Sequence, residues 1–235
     1  MVDTAYVLVP GAGGVAWYWH LVEAELRARG RDVVSVDLPG ADEAAGLAEY
    51  VDLIVAAAAD RERVVLVGQS LGGFSASLAC ARLPVALLVL LNAMIPEPGE
   101  SAGRWWAATG QDAARRDNDE RAGRPADADF DALVYFLHDV PQALIDEGEG
   151  RQRGESDAVF GTAWWLPAWP DVPTRVLIGR DDRFFPLAFQ RRVARERLGV
   201  LADEMPGGHL LALSRPVELA DRLERYLADV ERPGH

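Results

Sequence analysis

The chain has 235 residues, enough for one α/β domain with a sizeable core. Acidic residues number 37 against 24 basic ones, a formal charge of −13 whose field repels phosphate backbones and argues against nucleic acid as a partner. A single cysteine, Cys80, excludes an internal disulfide; no run is long enough to span a bilayer and the start lacks a signal-peptide pattern, so a soluble, cytoplasmic protein is expected.

Residues 6–9 read as a short buried strand ended by Pro10-Gly11. A helix carrying Leu21, Val22 and Leu26 follows and is closed by Gly30. Residues 33–36 form a second strand, stopped by Leu38-Pro39-Gly40. Leu47, Tyr50, Val51, Ile54 and Val55 then recur along one face of a helix. Residues 64–67 are a third strand, with a helix behind them that ends near Pro84 and packs Cys80. Residues 87–91 are a fourth. Apolar strands alternating with amphipathic helices imply an α/β fold, a mostly parallel sheet covered on both faces.

The alternation breaks after Asn92. From about residue 96 to residue 170 the chain is rich in charge, Gly, Pro and Trp, and reads as an insertion over the sheet edge rather than an independent domain. Residues 130–137 are predicted helical within it, and the charged stretch 113–129 is predicted mobile. The rhythm resumes with a fifth strand at 174–179, a basic helix near 188–198 and a sixth strand near 201–205. Leu219, Leu223, Tyr226 and Leu227 mark a last helix. About six strands result.

The most informative residue is Ser70, in Gly68-Gln69-Ser70-Leu71-Gly72 directly after the third strand and before a helix. A turn this sharp forces one side chain into a crowded backbone conformation, and glycines two before and two after relieve the crowding. The hydroxyl then stands where a base can reach it. Serine is a weak nucleophile, so it needs that base, and the base needs a partner to fix its tautomer. Of four histidines, His20 lies on the first helix, His138 in the insertion and His235 at the end; His209 lies in a Gly-rich loop after the sixth strand. An acid is expected after the fifth strand, where Asp181 and Asp182 both stand. Attack on a carbonyl also creates an oxyanion, which needs preset N–H donors. The Leu71 N–H at the helix start is one. A second is expected from Pro10-Gly11-Ala12-Gly13-Gly14.

These residues resemble the α/β-hydrolase superfamily and, within it, the plant-type methylesterase and hydroxynitrile lyase group of serine esterases. The matching features are the strand-Gly-Ala opening at Val7-Leu8-Val9-Pro10-Gly11-Ala12 with Trp17-Tyr18-Trp19, the turn around Ser70, Asp182 with Pro186 and Phe189-Gln190, and Gly207-Gly208-His209. The resemblance covers nearly the whole chain outside the insertion. It implies an α/β-hydrolase fold with a lid at 96–170, Asp182 as the acid, and Ala12 with Leu71 as the oxyanion hole. Pro10 departs from the usual His and Gln69 from the usual His or Glu. Leu210 stands where the lyases carry Lys, and Gly11 where they carry Thr, so ester hydrolysis is favoured over nitrile chemistry.

The predicted function is cleavage of a carboxylic ester of a small apolar or aromatic substrate through an acyl-enzyme, with no cofactor and no metal. Trp17, Trp105, Trp106, Trp164 and Trp165 are the candidates for lining an apolar pocket under the lid, with Trp169 beside them. An acyltransferase or a carbon–carbon hydrolase or lyase on the same triad is the main alternative. A non-catalytic binding protein on the same scaffold is less favoured. Gly11-x-Gly13-x-x-Ala16 with Asp37 loosely fits a dinucleotide-binding fingerprint, a nicotinamide-dependent oxidoreductase, but Pro10 argues against a regular strand-to-helix turn there.

Overall fold

Among the described residues, apolar runs rich in Val, Leu and Ile build β1 (Ala5–Val9), β2 (Val33–Ser35), β3 (Val64–Gln69), β4 (Val85–Leu91) and β5 (Thr174–Gly179), and the edge strand β6 (Asp203–Met205) is the short polar segment Asp-Glu-Met. They pair in the order β2-β1-β3-β4-β5-β6, every pair parallel. The computed structural model describes residues 4–125 and 129–232. Residues 1–3, the end of the stretch expected to be mobile and His235 lie partly or wholly outside them.

Side chains alternate across each strand, and both faces are buried. Val7, Val9, Leu66, Leu88, Leu90 and Ile178 pack to one side, against α2 (Leu47–Ala57), α3 (Gly72–Ala79) and α9 (Leu187–Leu198). Tyr6, Leu8, Val65, Val67, Val89 and Leu177 pack to the other, against α1 (His20–Ala28) and α11 (Pro216–Glu231). This is why the strands read as continuous apolar runs. Cys80 caps the end of α3, where burial pushes its thiol up to about 12 and leaves it a packed apolar group rather than a nucleophile.

Between β4 and β5 the chain leaves the sheet and forms α4 (Ala102–Thr109), α5 (Gln111–Arg121), α6 (Ala132–Tyr135), α7 (Gln142–Glu147) and α8 (Asp157–Gly161). Most of the stretch expected to be mobile is therefore helical. Its order comes from a polar hub. Asp119 is fully buried and accepts from Tyr135 Oη at 2.8 Å, Arg124 Nε at 2.7 Å and Arg115 Nη1 at 3.2 Å. Low hydrophobicity misleads where charges pair inward. The helix expected over 130–137 shrinks to α6. Asp131 caps its start, accepting from Leu133 N–H at 2.8 Å, and Phe136 already departs from it.

A short 3₁₀ turn, Ala16–Trp19, precedes α1, and α10 (Leu211–Ser214) precedes α11. The strand order reverses between β1 and β3: the chain goes from β1 outward to β2, then returns to β3 on the other side. At such a switch point the loops leaving the two strands diverge and open a crevice at their carboxyl ends. Among the described residues no helix is long and apolar enough to cross a membrane.

Candidate active site

Ser70 sits one residue beyond β3, at that crevice, with φ +50°, a left-handed conformation that costs a non-glycine residue energy. The surroundings hold it there. Its N–H donates to Leu91 C=O at 3.1 Å, and its C=O accepts from Gly73 and Met94 N–H groups at 3.0 and 2.9 Å. A Cβ on Gly72 would lie 2.5 Å from Pro10 O, and one on Gly68 2.7 Å from Gly72 O. Only glycine fits at either position, which is the steric reason for the Gly-x-Ser-x-Gly spacing.

His209 Nε2 lies 3.1 Å from Ser70 Oγ, and His209 Nδ1 lies 2.8 Å from Asp182 Oδ2. A carboxylate only accepts, so the proton sits on Nδ1 and Nε2 is left as an acceptor for the serine hydroxyl. Asp182 is held in turn. Its Oδ1 accepts from Phe184 and Phe185 N–H groups at 2.9 and 2.8 Å, and its Oδ2 also accepts from Gln190 Nε2 at 3.3 Å. Asp181 points elsewhere, accepting from Gly207 N–H at 2.9 Å. Of the two acids left open by their position in the chain, the one that meets His209 is Asp182.

The imidazole is packed on three sides by aromatic rings. Phe136 stacks on it at 4.9 Å, while Phe184 and Phe185 meet it edge-on at 5.4 and 5.1 Å. Its backbone is fixed by Asn92 at the tip of β4. Asn92 Nδ2 donates to the Gly208 and His209 carbonyls, both at 3.0 Å, and its Oδ1 accepts from Gly179 N–H at 2.7 Å. Asp139 adds a bond from Gly208 N–H at 2.7 Å. Asn92, Asp139 and Phe136 were not singled out from the sequence. A polar residue ending an apolar strand between the Ser70 and Asp182 strands is the one signal that pointed to Asn92; the insertion offered none for the other two.

Ala12 lies in the loop after β1, the neighbour of β3, and Leu71 directly precedes α3. Among the described residues neither N–H is donated to another protein group. The Leu71 N–H also benefits from the positive end of the helix dipole. The same loop weakens the dinucleotide alternative. Gly13 N–H is already bonded to the Glu155 carboxylate at 2.8 Å, and an acid there opposes a pyrophosphate.

Ser70 and His209 open onto a cleft of about 480 Å³. Trp17, Tyr18, Phe136, Leu137, Leu144, Ile145, Leu210 and Leu213 supply its apolar wall, and Arg151, Gln152, Arg153 and Glu155 a polar end. Of the five tryptophans expected in the pocket, Trp17 alone lines it. The other four are corrected. Trp105 is fully buried and donates to Ile95 C=O at 3.0 Å; Trp164 is fully buried and donates to Ser77 Oγ at 2.9 Å. Trp106 packs edge-on to Phe184 at 5.6 Å, and Trp165 is 47 % exposed. Trp169 stacks on Trp164. Trp105 and Trp164 thus tie the insertion to the segment after β4 and to α3, using their N–H groups to satisfy core acceptors. Trp105→Ala should therefore lower stability by about 3–5 kcal/mol while leaving KM for a small ester nearly unchanged, checked by denaturant unfolding alongside kinetics.

Residues 6–222 match the alpha/beta hydrolase family. The chain belongs to that family. Among relatives, the probable esterase PIR7A of Oryza sativa subsp. indica is 44% identical over 262 aligned positions, covering 95% of this chain and 96% of that one. Methylesterase 7 of Arabidopsis thaliana is 36% identical over 105 positions, 39% of this chain and 40% of that one. Among solved structures, polyneuridine aldehyde esterase superposes with a TM-score of 0.75 at 22% identity, over 95% of this chain and 98% of that one. The methylesterase MES16 from Arabidopsis gives 0.76 at 21%, over 96% and 99%. At these identities the structural likeness speaks for the fold, which is that of an α/β hydrolase.

Proposed function

We propose that this α/β hydrolase, an esterase-type enzyme, cleaves a carboxylic ester of a small, largely apolar substrate through an acyl-enzyme on Ser70. The observation that carries the assignment of residues is the chain of contacts from Ser70 Oγ to His209 Nε2, at 3.1 Å, and from His209 Nδ1 to Asp182 Oδ2, at 2.8 Å. Ser70 Oγ attacks the ester carbonyl as His209 Nε2 takes its proton. Asp182 keeps the ring in the required tautomer and stabilises the imidazolium. The Ala12 and Leu71 N–H groups receive the oxyanion. The tetrahedral intermediate collapses, the alcohol leaves with the proton from His209, and the acyl group stays on Ser70. Water, activated by the same imidazole, then attacks the acyl carbonyl and restores the hydroxyl.

The apolar cleft wall supports an aliphatic or aromatic group on the substrate, and the segment 96–170 acts as a lid within one domain. Leu210 beside His209 puts an apolar group in that wall, which favours ester cleavage over chemistry that needs a cation there. The testing experiment is intact mass after treatment with a fluorophosphonate, followed by peptide mapping. A single adduct on Ser70 is expected. An adduct elsewhere, or none with the protein folded, overturns the assignment.

A further inference from the structure

The loop that carries Ala12 is a β-turn closed by a bond from Gly14 N–H to Gly11 C=O at 3.1 Å. Ala12 and Gly13 are its central residues, and Gly13 has φ +84°, as the third position of a type II turn requires. In such a turn the central peptide can rotate about its flanking bonds unless its N–H is held from outside. Here the insertion holds it. Glu155 Oε2 accepts from Gly13 N–H at 2.8 Å, while Oε1 accepts from Tyr50 Oη at 2.6 Å and from Ser156 N–H at 3.3 Å. A Cβ on Gly13 would lie 2.7 Å from the Arg153 carbonyl oxygen, so the backbone just before Glu155 lies directly on the turn.

That strap is itself anchored to the main fold. Arg153 donates to Leu38 C=O at 3.1 Å and to Asp37 Oδ1 at 2.5 Å; Ser156 Oγ donates to Ala45 C=O at 2.9 Å. Tyr50 is a buried residue of α2. Burial pushes the Glu155 carboxyl up from its ordinary range, as expected of an acid placed for its geometry rather than its charge.

We infer that Glu155 is a positioning residue for ester cleavage: it pins the Ala12–Gly13 peptide and so sets the oxyanion donor supplied by Ala12. This rests on the roles given above to Ser70 and Ala12. What the turn needs from residue 155 is an acceptor at one point in space. A carboxamide supplies it, with its oxygen on Gly13 N–H and its NH₂ donating to the Tyr50 hydroxyl, which then turns to accept. An isosteric apolar side chain does not, and it strands three donors, the Gly13 and Ser156 N–H groups and the Tyr50 hydroxyl.

The two chemical steps both pass through a tetrahedral oxyanion. A displaced donor therefore slows acylation and deacylation together, which lowers kcat and leaves KM in place. Removing an oxyanion donor outright costs about 10²–10³ in rate, so displacing one should cost about tenfold to a hundredfold.

The experiment compares Glu155→Leu, Glu155→Gln and Glu155→Asp with the unchanged protein on a short p-nitrophenyl ester. Rates are normalised to the fraction of Ser70 labelled by saturating fluorophosphonate. Glu155→Leu should lose about tenfold to a hundredfold in kcat with KM within about twofold, and Glu155→Gln should recover to within about threefold. Glu155→Asp retains charge and polarity should the leucine variant not fold; it draws the acceptor back by one methylene, so its kcat should also fall with KM held. The inference is overturned if Glu155→Asp is fully active, if Glu155→Gln is no better than Glu155→Leu, or if KM rises while kcat stands. Labelling of Ser70 with unchanged kcat in all three variants sinks this inference alone. No labelling of Ser70 in the unchanged protein sinks the reading of the site beneath it.

Discussion

Ser70→Ala should abolish hydrolysis of short p-nitrophenyl esters, with a loss in kcat on the order of 10⁶ and the fold intact. The size follows from the role. Without Oγ no acyl-enzyme forms, and what remains is the effect of binding and of the oxyanion donors on direct attack by water. The fold should survive because the Ser70 hydroxyl meets His209 Nε2, whereas the turn itself is held by backbone bonds to Leu91, Gly73 and Met94. Alanine carries the same Cβ into the same left-handed conformation, so the turn is no more strained than before. The measurement is a progress curve at high enzyme concentration, with circular dichroism and thermal unfolding as the control. A full rate in the folded variant would remove Ser70 from the mechanism.

The parts legible in the sequence are those where chemistry and backbone geometry constrain neighbouring residues together. The Ser70 turn is one: two glycines, a strand and a helix are demanded within a dozen positions, Gly68 by its crowding against Gly72 inside the turn and Gly72 by the Pro10 carbonyl of the neighbouring strand's loop. The strands are another, since a sheet buried on both faces must be written in apolar residues. His209 and the Asp pair could be found because a parallel sheet delivers the ends of its strands to one edge. The insertion obeys no such rule. Its helices are short, and α5 owes its order to Asp119, Arg115, Arg124 and Tyr135 rather than to an apolar stripe. Adjacent tryptophans such as Trp105 and Trp106 sit about 100° apart on a helix, so residue type alone does not say which of them faces a cleft. The wall falls instead to Phe136, Leu144 and Ile145, ordinary apolar residues whose position depends on how the segment folds back. Glu155 escaped notice for the same reason. Its partners Gly13 and Tyr50 are 142 and 105 positions away in the chain.

Asp182→Asn should lower kcat by about 10⁴, and Asp181→Asn by less than about tenfold. The contrast comes from hydrogen-bond direction. Asp182 Oδ1 must accept from two backbone N–H groups, Phe184 and Phe185, so an asparagine keeps its oxygen there and turns its NH₂ toward His209. A donor facing Nδ1 forces the ring proton onto Nε2, where it meets Ser70 Oγ as a donor and can no longer take a proton. Turning the amide the other way would set an NH₂ against those two backbone donors, at 2.9 and 2.8 Å, whereas the favoured orientation gives up only the longer bond from Gln190 Nε2 at 3.3 Å, a donor that Phe185 C=O already holds at 2.6 Å. Asp181 carries no such constraint: among the described residues its carboxylate accepts from Gly207 N–H, which an asparagine oxygen accepts as well. Steady-state kinetics on the two variants decides the point. A severe loss in Asp181→Asn with near-normal turnover in Asp182→Asn would mean that the acid orienting His209 in solution is not the one that meets it at 2.8 Å.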